Sequence, residues 1–254
     1  MKELFMNEKP NFAFLSGNTL KIIAAIAMLC DHVGLMFFPQ VSIFRIIGRL
    51  AFPIFAFMIA EGAHYTKRKA RYFLMIFSLA ALCQIVYFIF DHSLYMCVLV
   101  TFSLSILTLF ALDHAKKSLF ADGTSATRKI LSVALFMSTV AVTYLLNLIF
   151  DIDYGFWGCM LPVFAGLFRL SEPTENRILR LLDTIPARAL LMGVGLIPLS
   201  LAIGWVQSYS LLTLPILFLY SGKRGKRKMK YFFYIFYPLH LALLEGIYML
   251  LYHH

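Results

Sequence analysis

In the stretch AIAMLCDHVGLMF an aspartate and a histidine, Asp31 and His32, stand side by side inside an apolar run from Ile22 to Phe38. An Asp at the centre of a membrane-spanning helix costs roughly 2.5–3.5 kcal/mol, so it needs a partner, a water-filled cavity or a task. The next apolar stretch, SIFRIIGRLAFPIFAFMIAEG, holds Arg45 and Arg49 one helical turn apart, with Glu61 near its far end. A short turn joins the two stretches, so they form an antiparallel hairpin in which Asp31 and His32 lie at a depth similar to the arginines. An Asp–Arg pair across the hairpin explains how both charges are tolerated. Successive helix residues point about 100° apart, so the two neighbours cannot share that job. The spacing predicts that Asp31 braces an arginine while His32 faces a cavity.

Further polar groups fall at comparable depths. His240 sits in FYIFYPLHLALLEG, flanked by Tyr237 and Glu245, where Pro238 frees a backbone carbonyl. Asp151 and Asp153 belong to an outer mouth in FDIDYGFWG. At the inner end of the second stretch, EGAHYTKRKARY carries Lys67, Arg68 and Arg71; Arg68 and Arg71 are three apart and can hold phosphate oxygens from one helix face. Each group also has a structural use. A buried Asp–Arg pair fixes helix register, a membrane histidine bonds a carbonyl, and a basic run marks the cytoplasmic side. No Gly-rich phosphate loop, metal-ligand cluster or nucleophile elbow occurs in the chain. Cys30, Asp31 and His32 are not a catalytic triad, because three consecutive helix residues cannot converge. Nucleotide phosphoryl chemistry and zinc hydrolysis are therefore not expected.

The elements that must position these residues are membrane helices. Of 254 residues, 61% are hydrophobic and 14% charged, whereas a soluble domain is nearer half and a quarter. Successive apolar runs of about twenty residues can each cross a ~30 Å hydrocarbon core. The expected fold is all-α, a polytopic transmembrane bundle forming one membrane domain over residues 1–254. About nine spans are expected, at roughly 19–38, 43–63, 72–90, 94–112, 130–150, 154–170, 188–206, 208–221 and 231–251. The first run is too long for a cleaved signal peptide and reads as a retained span. The four cysteines are scattered singly and read as packing residues.

The net charge of +10 does not point to nucleic acid. All Lys and Arg residues except Arg45 and Arg49 fall at the N-terminus or in alternate connections, the second, fourth, sixth and eighth. That asymmetry is the positive-inside signature of a cytoplasmic-membrane protein with its N-terminus in the cytoplasm and its C-terminus outside. Contact of the basic side with anionic membrane lipid is expected as well.

Four segments together resemble the TraX family of polytopic membrane proteins: LKIIAAIAMLCDHVG (20–34), IGRLAFPIFAFMIAEGAHYTKRKARY (47–72), DYGFWG (153–158) and LYSGKRGKRKMKYFFYIFYPLHL (219–241). The resemblance implies a pilin N-acetyltransferase with acetyl-CoA as donor and no metal. The layout is more distantly similar to the acyltransferase-3 group. That similarity implies His32 as the intramembrane histidine, Glu61-Gly62 in place of a Ser-Gly motif, and Arg68 and Arg71 as the following basic pair.

The expected activity is acyl transfer from cytosolic acyl-CoA to an amine or hydroxyl of an envelope acceptor, a pilin-like peptide or a glycan. Lys67, Arg68 and Arg71 would meet the CoA phosphates. His32, about 20 Å above the inner end of its helix, lies within reach of an extended pantetheine arm. It would act as general base, with Arg49 or Arg45 stabilising the oxyanion. Tyr237, His240, Asp151, Asp153 and Glu61 would contact the acceptor. A proton-coupled transporter is the competing class, since intramembrane Asp, His and Arg also make proton relays. A non-enzymatic assembly factor is the third. The two halves of the chain show no pairwise repeat of the kind many transporters carry.

Overall fold

The computed structural model describes residues 13–171, 174–226 and 229–252. Lys2, Lys9, Arg227 and Lys228, which contribute to the charge asymmetry, lie outside the described residues. Helices α1 (Gly17–Phe37), α2 (Ser42–Gly48), α3 (Ala51–Tyr65), α4 (Lys69–Asp91), α5 (Val98–Phe120) and α6 (Ala126–Ile149) come first. They are followed by α7 (Gly155–Gly166), α8 (Arg177–Leu182), α9 (Ile185–Ile203), a 3-10 helix (Trp205–Leu212), α10 (Thr213–Phe218) and α11 (Lys230–Tyr252). Among the described residues no strand forms; two isolated bridges, Leu15–Tyr220 and Met96–Ile152, tie loops together.

Among the described residues seven segments are long and apolar enough to cross a membrane: Gly17–Phe37, Ser42–Tyr65, Lys69–Ile89, Val98–Phe120, Ala126–Ile149, Ile185–Ile203 and Tyr231–Tyr252. The chain is thus a multi-pass membrane protein with an all-helical fold. The two remaining expected spans, 154–170 and 208–221, are shorter apolar helices, Gly155–Gly166 and Trp205–Phe218. Periodicity alone could not reveal the 3-10 stretch in the second of them. At a rise of about 2.0 Å per residue it lets a short segment reach about 25 Å.

Helices α3 and α5 are the most buried of the long helices; α7 packs beside both, and α9 packs on α7. Helices α4, α6 and α11 lie outside this centre with large apolar side chains exposed, as lipid-facing helices do. Small residues allow the closest approaches: a side chain at Gly34 would overlap Phe44, and one at Gly195 would meet the Phe164 ring at 2.6 Å.

The second expected span is a broken helix. Pro53 has no N–H to donate to the Arg49 carbonyl, and the chain turns at Arg49–Leu50 between α2 and α3. The break places Arg49 where its side chain can reach across to α1.

Candidate functional site

Around this break the hairpin carries a buried charge cluster. Arg49 Nη2 donates to both Asp31 carboxylate oxygens, at 2.8 and 2.7 Å, and Arg45 Nη1 donates to Oδ1 at 2.9 Å. Asp31 therefore braces two arginines, where the spacing alone asked for one. Arg49 Nη1 also donates to Gln207 Oε1 at 3.2 Å, and its Nε to the Arg45 carbonyl at 3.3 Å. The cluster is complete only because Gly48 has no side chain: a Cβ there would overlap the Asp31 carboxyl. Gln207 carries no signal in the sequence, because it sits in what reads as a bare connection.

His32 points away from this cluster, as helix geometry requires. Its Nδ1 lies 2.9 Å from the Met28 carbonyl. A carbonyl only accepts, so Nδ1 carries a proton, and in the neutral form of the ring Nε2 is the unprotonated nitrogen. The ring meets His240 edge-on, with centroids 5.1 Å apart. His240 repeats the pattern, its Nδ1 donating to the Phe236 carbonyl at 2.8 Å, while its buried Nε2 has no partner among the described residues.

A second carboxylate–arginine clamp lies toward the opposite ends of the helices. Arg188, fully buried near the start of α9, donates to Glu61 Oε1 at 2.6 Å and to the Ala165 carbonyl at 3.0 Å. The Tyr220 hydroxyl donates to Glu61 Oε2 at 3.2 Å. Arg169 stands 3.9 Å from the same carboxylate and bonds Asp183 and Tyr65. The pull of Glu61, Asp183 and Tyr65 outweighs the burial that opposes charge on Arg169, and the guanidinium stays firmly protonated. Both oxygens of Glu61 are occupied, so it braces α3 against α9 and offers less to a substrate than its position suggested. In the sequence Arg188 reads only as a positive marker of the cytoplasmic side. The signal that could have found it was Glu61 itself, a carboxylate inside a span with no assigned cation.

One cavity of about 1640 Å³ joins the regions. Asp31, His32, Arg45 and Arg49 line it at one end, with Asp153 and Tyr154 close by. Lys67, Arg68 and Arg71 line the other end. Helices α1, α3, α4 and α11 form its apolar sides, where Tyr237 is part of the wall. Glu61 touches the wall, whereas His240 stands behind it, against His32. Asp151 is not on the wall: its side chain is exposed, and its carbonyl accepts from the Met96 N–H at 2.8 Å. Arg68 caps α4 rather than sharing a mid-helix face with Arg71, so both stand at the positive end of that helix.

Asp153 is held by its backbone. Its carbonyl accepts from Thr101 Oγ1 at 2.5 Å, and its N–H donates to the Met96 carbonyl at 2.8 Å. Burial raises its carboxyl to about 6, against the Tyr95 hydroxyl bond and the Tyr154 N–H, which favour the ionised form. The next residue, Tyr154, adopts a positive φ of 62° and stacks its ring on Phe52 with centroids 3.7 Å apart. Among the described residues no group of three or more His, Cys, Asp or Glu side chains could hold a metal ion.

The family model described as TraX protein matches residues 16–248. The chain belongs to the TraX family. The match spans the α1–α3 hairpin, the α7 segment and most of α11, and so every residue of the two clamps and both histidines. A probable fimbrial assembly protein FimC, serogroup H1, of Dichelobacter nodosus is 30% identical over 245 residues, 89% of this TraX-family chain and 92% of its own length. An uncharacterized protein of Rickettsia prowazekii (strain Madrid E) is 48% identical over 52 residues, 20% of this chain and 21% of its own. No solved structure matches.

Proposed function

We propose that this TraX-family protein is a membrane acyltransferase that moves an acyl group, acetyl in the first instance, from cytosolic acyl-CoA to an amine or hydroxyl of an envelope acceptor. The single observation that carries the reading is the continuity of the cavity: Lys67, Arg68 and Arg71 line one end, and His32 with Arg45 and Arg49 lines the other. His32 is fifteen residues beyond Gly17 on α1, about 22 Å at 1.5 Å per residue. A donor held by its phosphates at the basic end can lay its pantetheine arm along that length.

In the reaction, His32 Nε2 takes the proton of the attacking amine or hydroxyl as the new bond to the thioester carbon forms. The carbonyl oxygen gains negative charge and is met by an arginine N–H. Arg49 is nearly saturated by Asp31, Gln207 and the Arg45 carbonyl, so Arg45, with Nε and Nη2 free of these bonds, is the better oxyanion donor. Collapse breaks the carbon–sulfur bond, and the imidazolium returns its proton to the departing CoA sulfur.

A nine-crossing topology belongs to the same reading. Segments 155–166 and 205–218 both return the chain across the membrane, giving nine crossings of the cytoplasmic membrane, an inner N-terminus and an outer C-terminus. Support comes from both ends of α7. The Ile152–Tyr154 turn bonds to Met96 and Thr101 at the start of α5, whereas Lys116 near its end donates to the Gly166 and Arg169 carbonyls at 2.9 and 2.8 Å.

The name of the Dichelobacter relative suggests that the acceptor belongs to a fimbrial or pilin-like assembly. Purified protein in proteoliposomes, given acyl-labelled acetyl-CoA and an envelope extract, should place label on an extract component and release free CoA. The same name also supports a non-enzymatic assembly factor. No label transfer, with fimbrial assembly still dependent on the protein in cells, would decide for that reading.

A further inference from the structure

The basic end of the cavity has two sides, and the charge run after the second span accounts for only one. Opposite it in the chain, the loop at 221–226 folds back on the start of α1. The Ser221 N–H and hydroxyl bond to the Leu15 carbonyl at 2.8 and 2.9 Å. The carbonyls of Lys223 and Arg224 accept the N–H groups of Gly17 and Asn18, at 2.8 and 3.0 Å. Gly222 and Gly225 take positive φ of 69° and 97°, and a Cβ at Gly225 would come within 2.8 Å of Ser16 Oγ. The loop is thus built to one shape against α1, and its backbone is engaged while the Arg224 side chain is exposed. Arg224 lines the cavity, as does Lys21 one turn into α1, whose ammonium lies 5.8 Å from the centre of the Phe233 ring.

We propose that Lys21 and Arg224 form the second jaw of a nucleotide-binding mouth, closing on the pyrophosphate and ribose 3′-phosphate of a free CoA thioester opposite Lys67, Arg68 and Arg71. The inference rests on the acyltransferase reading and adds two residues to its donor site. A phosphomonoester carries about −1.5 to −2 charge at pH 7 and a pyrophosphate diester about −2, so the CoA head group bears nearly −4. A pantetheine arm on a carrier protein bears one phosphodiester charge and no base. Five cations on two sides match the first and exceed what the second needs. Phe233 and Tyr72, also on the wall, offer rings on which an adenine can stack. The donor selected is a nucleotide-bearing thioester.

Anionic lipid head groups share the phosphate chemistry, so the test separates the two sources. The full-length protein is placed in nanodiscs of phosphatidylcholine alone, and binding of CoA, 3′-dephospho-CoA and 4′-phosphopantetheine is measured by calorimetry. Wild type should bind CoA tightest and 4′-phosphopantetheine weakest. Arg224→Ala and Lys21→Gln should each weaken CoA about ten-fold, leave 4′-phosphopantetheine unchanged, and lessen the advantage of CoA over 3′-dephospho-CoA in at least one variant. Arg224→Lys should retain most of the affinity. A melting temperature matching wild type confirms folding for each. The proposal is overturned if both variants bind CoA like wild type in these discs, and overturned in favour of a lipid contact if they differ from it only when phosphatidylglycerol is present. Wild type that binds CoA but no better than 4′-phosphopantetheine removes the second jaw and leaves the acyltransferase reading standing. Wild type that binds none of the three removes both.

Discussion

Asp31 and His32 are neighbours in the chain, and the turn between adjacent helix positions gives them separate surroundings. Asp31 holds two guanidinium groups; His32 holds a carbonyl with one nitrogen and leaves the other to the cavity. Asp31→Ala leaves Arg49, nearly buried, without its counter-charge, and should cost about 3–5 kcal/mol. Thermal melting in detergent should show the loss, and Asp31→Ala combined with Arg49→Met should recover part of it. Equal melting of the single and double variants would contradict the clamp. Asp153 gives a pH signature. Its carboxyl sits at about 6 in the folded chain against an ordinary 3.8. The fold therefore favours the protonated form, and that stabilisation, complete below the ordinary value, is lost as pH rises through 6. Asp153→Asn should melt higher relative to wild type at pH 8 than at pH 4.5, and parallel curves between those pH values would count against the assignment. At this scale the Asp31 clamp was legible because two charges at matched depth in one hairpin must pair. The Glu61 clamp was not, since Arg188 lies among residues that positive-inside counting explains without a partner.

Between residues and the whole stand elements whose shape the apolar pattern hides. Hydropathy reads 43–63 as one span, and Ser42–Tyr65 is one, but its helix is interrupted at Arg49–Leu50, shortly before Pro53, where Arg49 reaches Asp31. Hydropathy also reads 154–170 and 208–221 as ordinary spans. The first ends as a helix at Gly166, and the second begins as a 3-10 helix, because apolar residues alone do not specify hydrogen-bond pattern. The α1–α2 contact can be tested through its glycine. Gly48→Ala drives a methyl into the Asp31 carboxyl and should destabilise by about 1–3 kcal/mol, the usual cost of overpacking. Gly246→Ala on α11, where a Cβ meets nothing within 4 Å, serves as the control and should melt at or slightly above wild type. Comparable melting for the two variants would show that α1 and α2 can separate without loss.

For the molecule as a whole, orientation decides whether a cytosolic donor can meet an outer acceptor. The stretch between α7 and α9 separates the possibilities. If α7 returns the chain, residues 167–184 are cytoplasmic; if only the seven long segments cross, they lie outside. Contacts of Ser171 with Asp113 at 2.7 Å and of Arg169 with Tyr65 at 2.6 Å hold these two residues beside the C-terminal halves of α5 and α3. A reporter active only in the cytoplasm, fused after Arg180, should be active, and one fused after His92 should be silent. Silence after Arg180 would overturn the nine-crossing arrangement and separate the basic mouth from this loop.

The central claim is that one cavity brings a donor bound at its basic end to a base at His32. It is tested most directly by measuring CoA binding and the rate of acyl transfer for wild type and His32→Gln in the same proteoliposome preparation. Glutamine keeps the size and can still donate to the Met28 carbonyl, but it cannot take a proton at neutral pH. The account predicts unchanged CoA affinity and melting temperature with transfer reduced at least a hundred-fold, the scale of a lost general base. Transfer by His32→Gln at the wild-type rate would contradict it.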